Sequence, residues 1–137
     1  MRLDRFFVIS TPFNNAIFNF FVKNVKHYFG VKTEFSMNFG PAPMNREQLN
    51  DILKKMHATI MIHRIYNFML SKVSKKHFQA ILFVEMKVAA DEATRTIQHL
   101  ENCLKHGIPL DNVSDISFGA NTVNRLVNLT RAFTTSF

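Results

Sequence analysis

The sequence predicts a single α+β domain with a βαββαβ core, a long helix inserted between the second and third strands, and a further helix at the C-terminus. Two segments, 31–38 and 76–88, alternate apolar and polar residues with the period of two that is typical of strands. Other segments space their apolar residues by three and four, which is typical of helices. A chain of 137 residues can fill one core, and no repeat or linker divides it.

The first strand and helix are predicted within the first thirty residues. Arg5–Ser10 is a short apolar run with β-forming residues, so it reads as a buried strand. Thr11 can then cap a helix and Pro12 can take its first position. The helix continues from Phe13, and Gly30 offers the left-handed residue that ends it.

A second strand at 31–38 precedes the longest predicted helix. Asn45 and Gln48 have the spacing of a capping box, and the helix is expected to continue to about Ser71. A basic turn, Lys72–Lys76, then ends it. The apolar stripe of this helix is Leu49, Ile52, Leu53, Met56 and Ile60.

Residues 76–88 are interpreted as the third strand. Its core face would be Phe78, Ala80, Leu82, Val84, Met86 and Val88. Its other face places Ile81 and Phe83 among polar and charged residues. Such a mixed face is typical of a sheet that is open to solvent or covered by a partner.

One more helix, a short strand and a last helix complete the predicted fold. Asp91 and Glu92 are favourable at a helix start, and Gly107 ends that helix. Its predicted buried face is Ala93, Ile97, Leu100 and Leu104. Val113–Phe118 is the predicted fourth strand. A helix from Asn121 follows it, with Val123, Leu126, Val127 and Phe133 on its apolar face. This order corresponds to a ferredoxin-like core with two additions; a doubly wound parallel sheet is the competing arrangement, which the half-polar strands disfavour.

Positive charge is concentrated in one window of the chain. Seventeen Lys and Arg residues against ten Asp and Glu give a formal charge of +7. Between Ile52 and Val84 there is no acidic residue. The window contains Lys54, Lys55, Arg64, Lys72, Lys75 and Lys76, together with His57, His63 and His77. A surface of this composition is expected to attract polyanions; the alternative is an ordinary solvated face.

Composition excludes several other classes. The first apolar run is too short for a signal peptide, and the most apolar stretch, 13–22, is shorter than the roughly 20 residues of a membrane span. The single Cys103 excludes an internal disulfide and fits a reducing compartment, although it could pair between chains. An intracellular protein, cytoplasmic or nuclear and without membrane association, is expected.

The segments FFVIST (6–11) and AILFVEM (80–86), with the helix that follows the second of them, resemble the RNA-recognition-motif layout. In that family, aromatic residues of the first and third strands stack on bases. The resemblance assigns base stacking to Phe7 and Phe83. Ile81 stands where the family has another aromatic, and Gln79 with Ala80 replaces the usual basic residue and glycine.

The segment HFQ (77–79) resembles the metal-binding strand motif of rolling-circle replication initiator endonucleases. On a strand, His77 and Gln79 would point to one face, as metal ligands must. That family also has a nucleophilic Tyr followed three residues later by Lys, and the comparable stretch here, Asn102-Cys103-Leu104-Lys105, contains no Tyr. The resemblance therefore implies at most an inactive or atypical relative that binds DNA.

No other catalytic, metal or cofactor site is predicted. His57 and His63 are six residues apart and do not share a helical face. Asp111 and Asp115 form the only close acidic pair on a predicted loop and strand, which could couple acid and base chemistry or hold a metal, or simply be solvated. Cys103 and His106 are neighbours on a helix but lack an orienting carboxylate. We expect no enzyme activity, no cofactor and no resident metal.

Two functions from different classes remain. The first is binding of RNA or single-stranded DNA by a basic surface and an open sheet face. Its predicted contact residues are Phe7, Arg64, Lys72, Lys75, Lys76, His77, Gln79, Ile81, Phe83 and Lys87. The second is a non-enzymatic interaction protein, such as a viral or mobile-element accessory factor, that forms homo-oligomers or binds a protein partner.

Overall fold

The computed structural model describes residues 42–72 and 77–135. Across these two ranges the chain forms helices α1 (Arg46–Ser71), α2 (His77–Lys105) and α3 (Ser117–Thr135), and a short π-helical turn leads into α3. The same ranges contain no β-strand. The strand predicted at Arg5–Ser10, the helix from Phe13 and the strand at 31–38 lie outside the described residues.

The three helices pack as an antiparallel bundle. His57 lies beside Glu101 and Arg64 beside Asp91, so α1 and α2 run in opposite directions. Arg125 on α3 pairs with Glu92, while Gly119 lies against Leu100, so α3 runs opposite to α2. Each helix contacts the other two, and the apolar stripes meet in one core.

The predicted ferredoxin-like fold is wrong for this part of the chain, because the third predicted strand is the first half of α2. Segment 77–105 contains no Gly or Pro, so a helix that is present at Ala93 extends backwards without interruption. Met86, Ala89, Ala90, Ala93 and Ile97 are buried, and this spacing is helical. The apolar residues of 76–88 are dense enough to satisfy a period of two as well, which explains the wrong interpretation.

Helix α1 confirms the predicted long helix. The Asn45 side chain accepts a hydrogen bond from the Gln48 backbone N–H at 2.8 Å, and the Gln48 side chain accepts one from the Asn45 N–H at 3.0 Å. This is the predicted capping box. The helix ends at Ser71, also as predicted.

Helix α2 ends where Gly107 was expected to end a helix. Gly107 has a φ of 70°, in the left-handed region that glycine adopts without strain. The Ile108 N–H donates to the Cys103 carbonyl at 2.8 Å and the Gly107 N–H donates to the Leu104 carbonyl at 3.3 Å. These two bonds form a Schellman motif that satisfies the carbonyl groups of the last turn.

The predicted strand Val113–Phe118 is also wrong, since these residues form the π-helical turn Asn112–Ile116 and the start of α3. Asp111 is the N-cap of the turn, and its carboxylate accepts hydrogen bonds from the Val113 and Ser114 backbone N–H groups. Asp111 is a favourable N-cap residue and is therefore the sequence signal for this helix start. The residues after it alternate apolar and polar, and for that reason they were interpreted as a strand. The buried face predicted for the last helix, including Val123, Leu126, Val127 and Phe133, is confirmed.

Small residues on α2 set how closely the helices approach. Ala89, Ala90 and Ala93 are at most 2% exposed. On α3, a Cβ atom added to Gly119 would lie 2.9 Å from Leu100 Cδ1, closer than real carbon contacts allow. Larger core residues fill the space on either side: Leu53, Met56, Ile60, Leu70, Met86, Ile97, Ile116, Leu126 and Phe133. No helix in the described ranges is both long and apolar enough to cross a bilayer.

A histidine is part of this core. His63 on α1 is fully buried, and its ring meets the Tyr66 ring edge-on at 6.1 Å. Burial, together with the Arg131 guanidinium, lowers the pKa of His63 from 6.5 to about 4. The folded protein therefore holds His63 in its neutral form at neutral pH.

His63 should make stability fall in mild acid. Between about pH 6.5 and 4 the unfolded chain binds a proton that the folded chain does not, so stability is complete above this window and decreases below it. We expect a loss of about 2 kcal/mol in unfolding free energy between about pH 7 and 5, measured by urea denaturation. His63→Leu should abolish this loss, whereas the control His57→Gln, at a half-exposed histidine of α1, should retain it. An unchanged slope in His63→Leu would contradict the assignment.

Candidate functional site

A groove lies between the C-terminal half of α1 and the N-terminal half of α2, with a volume of about 470 Å³. We refer to it as the α1/α2 groove. Its described lining residues are Arg64, Asn67, Phe68, Ser71, Lys72, Phe83, Met86, Lys87 and Ala90. Three of these side chains are cationic and none is acidic, and the volume is within the range of about 300–1,000 Å³ that small-ligand sites occupy.

Helical spacing builds both walls of the α1/α2 groove. On α1 the lining residues recur at 64, 67, 68, 71 and 72, and on α2 at 83, 86, 87 and 90. Residues three and four apart lie on one face of a helix, so each wall is a single stripe. Because the helices are antiparallel, the end of the α1 stripe faces the start of the α2 stripe.

Each wall carries a lysine over a phenylalanine ring. Lys72 Nζ lies 4.6 Å from the centroid of the Phe68 ring, and Lys87 Nζ lies 5.3 Å from the centroid of the Phe83 ring. Each pair is a cation–π contact between residues four apart on one helix, worth about 0.5–1 kcal/mol at an exposed site. Neither lysine forms an ion pair with a described residue. Both ammonium groups therefore keep hydrogen-bond donors available for an anion.

Arg64, the third cation of the groove, forms hydrogen bonds to α2. Arg64 Nη2 donates to Asp91 Oδ1 and to Thr94 Oγ1, both at 2.9 Å. The Asp91 side chain is more than half exposed, so this pair contributes little to stability. It does orient the guanidinium at one end of the groove and offsets part of its charge.

Asn67 is the most buried polar residue of the lining. The residue is 4% exposed, and its Oδ1 atom has no hydrogen-bond partner among the described residues. Buried side-chain oxygens are normally bonded, because a lone buried acceptor loses its bonds to water without replacement.

Four predicted contact residues, Arg64, Lys72, Phe83 and Lys87, therefore line one groove. They do so on two helices, not on the predicted open sheet. Phe83 is partly buried against the core, while Val84, predicted as a core residue, is 60% exposed.

Other predicted contact residues are not part of this groove. Gln79 is buried at 1% exposure, and positions 77 and 79 are about 200° apart around α2, so the expected shared face for a metal does not exist. Ile81 is half exposed, and two residues before Phe83 on a helix it faces away from that ring. Phe7, Lys75, Lys76 and the side chain of His77 lie outside the described residues.

Five of the nine described lining residues were not among the predicted contacts: Asn67, Phe68, Ser71, Met86 and Ala90. Three of them lie on α1, which was itself predicted correctly. A signal was present in the spacing, since Arg64, Phe68 and Lys72 follow one another at four-residue intervals. The prediction of a polyanion-binding surface used only the charges of the acid-free window and did not include Phe68.

The remaining polar clusters have structural explanations. Asp115 Oδ2 accepts a hydrogen bond from the Asp111 backbone N–H at 2.8 Å, so the acidic pair is a reciprocal helix cap. Hydrogen bonds from the Ser114 and Val113 backbone N–H groups lower the pKa of Asp111. The buried Cys103 contacts His99, not the expected His106, with its Sγ 3.7 Å from Nε2.

A second groove lies at the opposite end of α1 and α2. Its described lining includes Arg46 and Lys105 but also Glu47 and Glu101, so the charges of opposite sign are balanced. Among the described residues, no three His, Cys, Asp or Glu side chains are grouped so that they could hold a metal ion. The α1/α2 groove is therefore the stronger candidate site.

Comparison with protein-family models, with curated proteins and with solved structures found no match to this chain. The segment 80–86, which resembles a third strand of the RNA-recognition motif, lies within α2. The groove and its chemistry are therefore the basis on which a function is proposed.

Proposed function

We propose that this protein binds single-stranded nucleic acid, RNA or DNA, in the α1/α2 groove. The observation that carries the proposal is the pair of lysine-over-phenylalanine contacts, Lys72 with Phe68 and Lys87 with Phe83, on the two walls of one groove. Proteins that bind single strands combine aromatic rings, on which bases stack, with cations that follow the phosphates. No catalytic step is part of the proposal.

The charge distribution supports an anionic strand as the ligand. The chain carries a formal charge of +7, and the segment that forms the α1 wall belongs to the acid-free window. Lys72 and Lys87 present ammonium groups without a described carboxylate partner, so a phosphate would meet cations that are not already neutralised. Release of counterions from the strand would then favour binding.

The aromatic residues favour a single strand over a duplex. A ring on a groove wall can contact a base only when the base is unstacked from its neighbours, and single strands provide such bases at low cost. A groove of about 470 Å³ gives room for a base and not for a helix of paired strands.

Removing both groove lysines should weaken binding without unfolding the protein. For Lys72→Ala with Lys87→Ala, we expect lower affinity for every strand sequence, because phosphate contacts carry no sequence information. The plot of log affinity against log salt should become shallower by about one to one and a half units. Fluorescence anisotropy with a labelled single strand at several salt concentrations measures both quantities.

The matched control for this variant is Lys54→Ala with Lys55→Ala. It removes the same charge from exposed positions of α1 that do not line the groove. It should change affinity and salt slope much less. Equal losses in the two double variants would show that only overall charge matters and would contradict a binding groove.

Releasing Arg64 from its carboxylate should strengthen binding. Asp91→Asn removes the negative charge 2.9 Å from the Arg64 guanidinium while keeping an amide that can accept its hydrogen bond. We expect a severalfold gain in affinity at low salt, measured in the same anisotropy assay. The control Glu92→Gln removes the next carboxylate along α2, which faces Arg125 on α3. A gain as large in Glu92→Gln would argue against a local effect.

A second function, self-association, is favoured by an apolar stripe on the outside of α2. Ile81, Val84 and Val88 are 50–60% exposed and lie at helical spacing on one face. We propose that this stripe packs against the same stripe of a second copy, since a two-fold interface brings identical patches together.

Polar substitution of this stripe tests self-association. Replacing Ile81, Val84 and Val88 together by Gln should convert an oligomer to a monomer with little loss of stability, because all three side chains are already half exposed. Sedimentation equilibrium measures the mass. The control variant replaces Ile108, Val113 and Phe118 by Gln. These three side chains are similarly exposed but lie near the α2–α3 connection. A parent protein that is monomeric at every concentration would refute the interface.

A further inference from the structure

Each of the two groove lysines lies over a ring face that a base would need. In a stacked pair of aromatic rings the centroids are about 4.5–7 Å apart. Lys72 Nζ is 4.6 Å from the Phe68 centroid and Lys87 Nζ is 5.3 Å from the Phe83 centroid, so both ammonium groups lie in that range. An ammonium group and a base cannot occupy one face of a ring at the same time. The cation–π contacts therefore cover surfaces on which a base of the proposed ligand would stack.

The lysines can leave the rings without any change in the helices. Phe83 is partly buried and packs against the core, so a base can reach it only from the groove side. Phe68 is also partly buried and lines the groove. Both lysines are exposed, and each is attached one helical turn after its ring. A lysine side chain is long and flexible, so rotation about its own bonds moves the ammonium group off the ring.

We infer that Lys72 and Lys87 cover the two rings in the free protein, and that a phosphate group of the ligand draws each ammonium group off its ring so that the neighbouring base can stack there. This inference rests on the proposed binding of single strands. A cation–π contact at an exposed site is weaker than a charge-assisted hydrogen bond between an ammonium group and a phosphate. A ligand with a phosphate beside a flat base therefore exchanges the weaker contact for the stronger one.

The consequence is selection against neutral aromatic ligands. A ligand without a phosphate must also displace the ammonium group before it can stack on the ring. It loses the cation–π contact and offers the lysine no anion in exchange. The two lysines would thus favour strands over uncharged flat molecules by more than their attraction for phosphate alone.

An uncharged strand separates the two effects of each lysine. A methylphosphonate strand keeps the bases of a DNA strand of the same sequence, but its linkages carry no charge. Both strands are titrated by fluorescence anisotropy against the parent protein and against Lys72→Ala with Lys87→Ala. The variant should bind the phosphodiester strand more weakly and the methylphosphonate strand more tightly. The expected gain is about two- to fivefold for each lysine removed, which corresponds to one cation–π contact at an exposed site.

The matched control is Lys72→Met with Lys87→Met. Methionine removes the same charge but keeps a long, flexible side chain whose sulfur packs favourably against an aromatic ring. This variant should lose affinity for the phosphodiester strand as the alanine variant does, without the gain for the methylphosphonate strand. An equal gain in both variants would show that the gain follows the charge and not the covered ring face, and it would overturn the inference.

NMR spectroscopy of the parent protein observes the covered state directly. The Cε protons of Lys72 and Lys87 lie close to the faces of the rings, so in the free protein their resonances should be shifted upfield from those of exposed lysines. Addition of the phosphodiester strand should move these resonances towards the position of an exposed lysine. Resonances that stay in place at saturation would contradict displacement of the lysines.

The outcomes separate this inference from the proposed function. Failure of the phosphodiester strand to bind, even at low salt, would overturn both. If that strand binds but the alanine variant binds the methylphosphonate strand no better than the parent protein does, the covering role is overturned and strand binding stands. The NMR measurement uses the parent protein, so it decides the matter even if a variant does not fold.

Discussion

Close approach of the helices along one alanine-rich face of α2 is the constraint on which the rest of the structure depends. Ala89, Ala90 and Ala93 bury almost completely, and small side chains allow neighbouring helix axes to approach each other. Gly119 has no side chain and so allows the same close approach between α3 and α2. Towards the start of α2 the small residues give way to Met86 and Phe83, and there the space beside α1 is not closed by packing alone.

The groove follows from that change in side-chain size. Ala90 forms one end of its lining, where the helices are close, and the larger Phe83 stands further along the same wall. Arg64 also hydrogen-bonds to Asp91 and Thr94 across the two helices, at the end of the groove where Ala90 lies. The positions of the two lysines over their rings then depend only on four-residue spacing within each helix.

Some of this architecture could be predicted from the sequence and some could not. The start of α1 at Asn45, the end of α2 near Gly107 and the buried face of α3 were predicted because a cap, a breaker or a clear stripe marks each one. The strand at 76–88 was predicted wrongly because local alternation was given more weight than the absence of any breaker before Ala93.

The candidate site, too, was predicted only in part from the sequence. Arg64, Lys72, Phe83 and Lys87 were predicted as contacts from charge and from the strand interpretation, and they meet in one groove for a different reason, namely helical spacing on facing helices. Asn67 could not be predicted, because an asparagine inside a helix carries no sequence signal until its burial is known. Packing between distant segments decides that burial, and no local pattern contains it.

The burial of Cys103 gives this bundle a natural reporter of its own opening. It is the only cysteine in the sequence, it is 8% exposed, and it lies in the last turn of α2, where its carbonyl also accepts the Ile108 N–H of the helix end. A thiol reagent can reach this sulfur only when that end of the helix comes away from its neighbours. The rate of thiol labelling therefore measures the free energy of local opening at the end of α2 remote from the α1/α2 groove. No engineered residue is needed, and the groove is left chemically untouched.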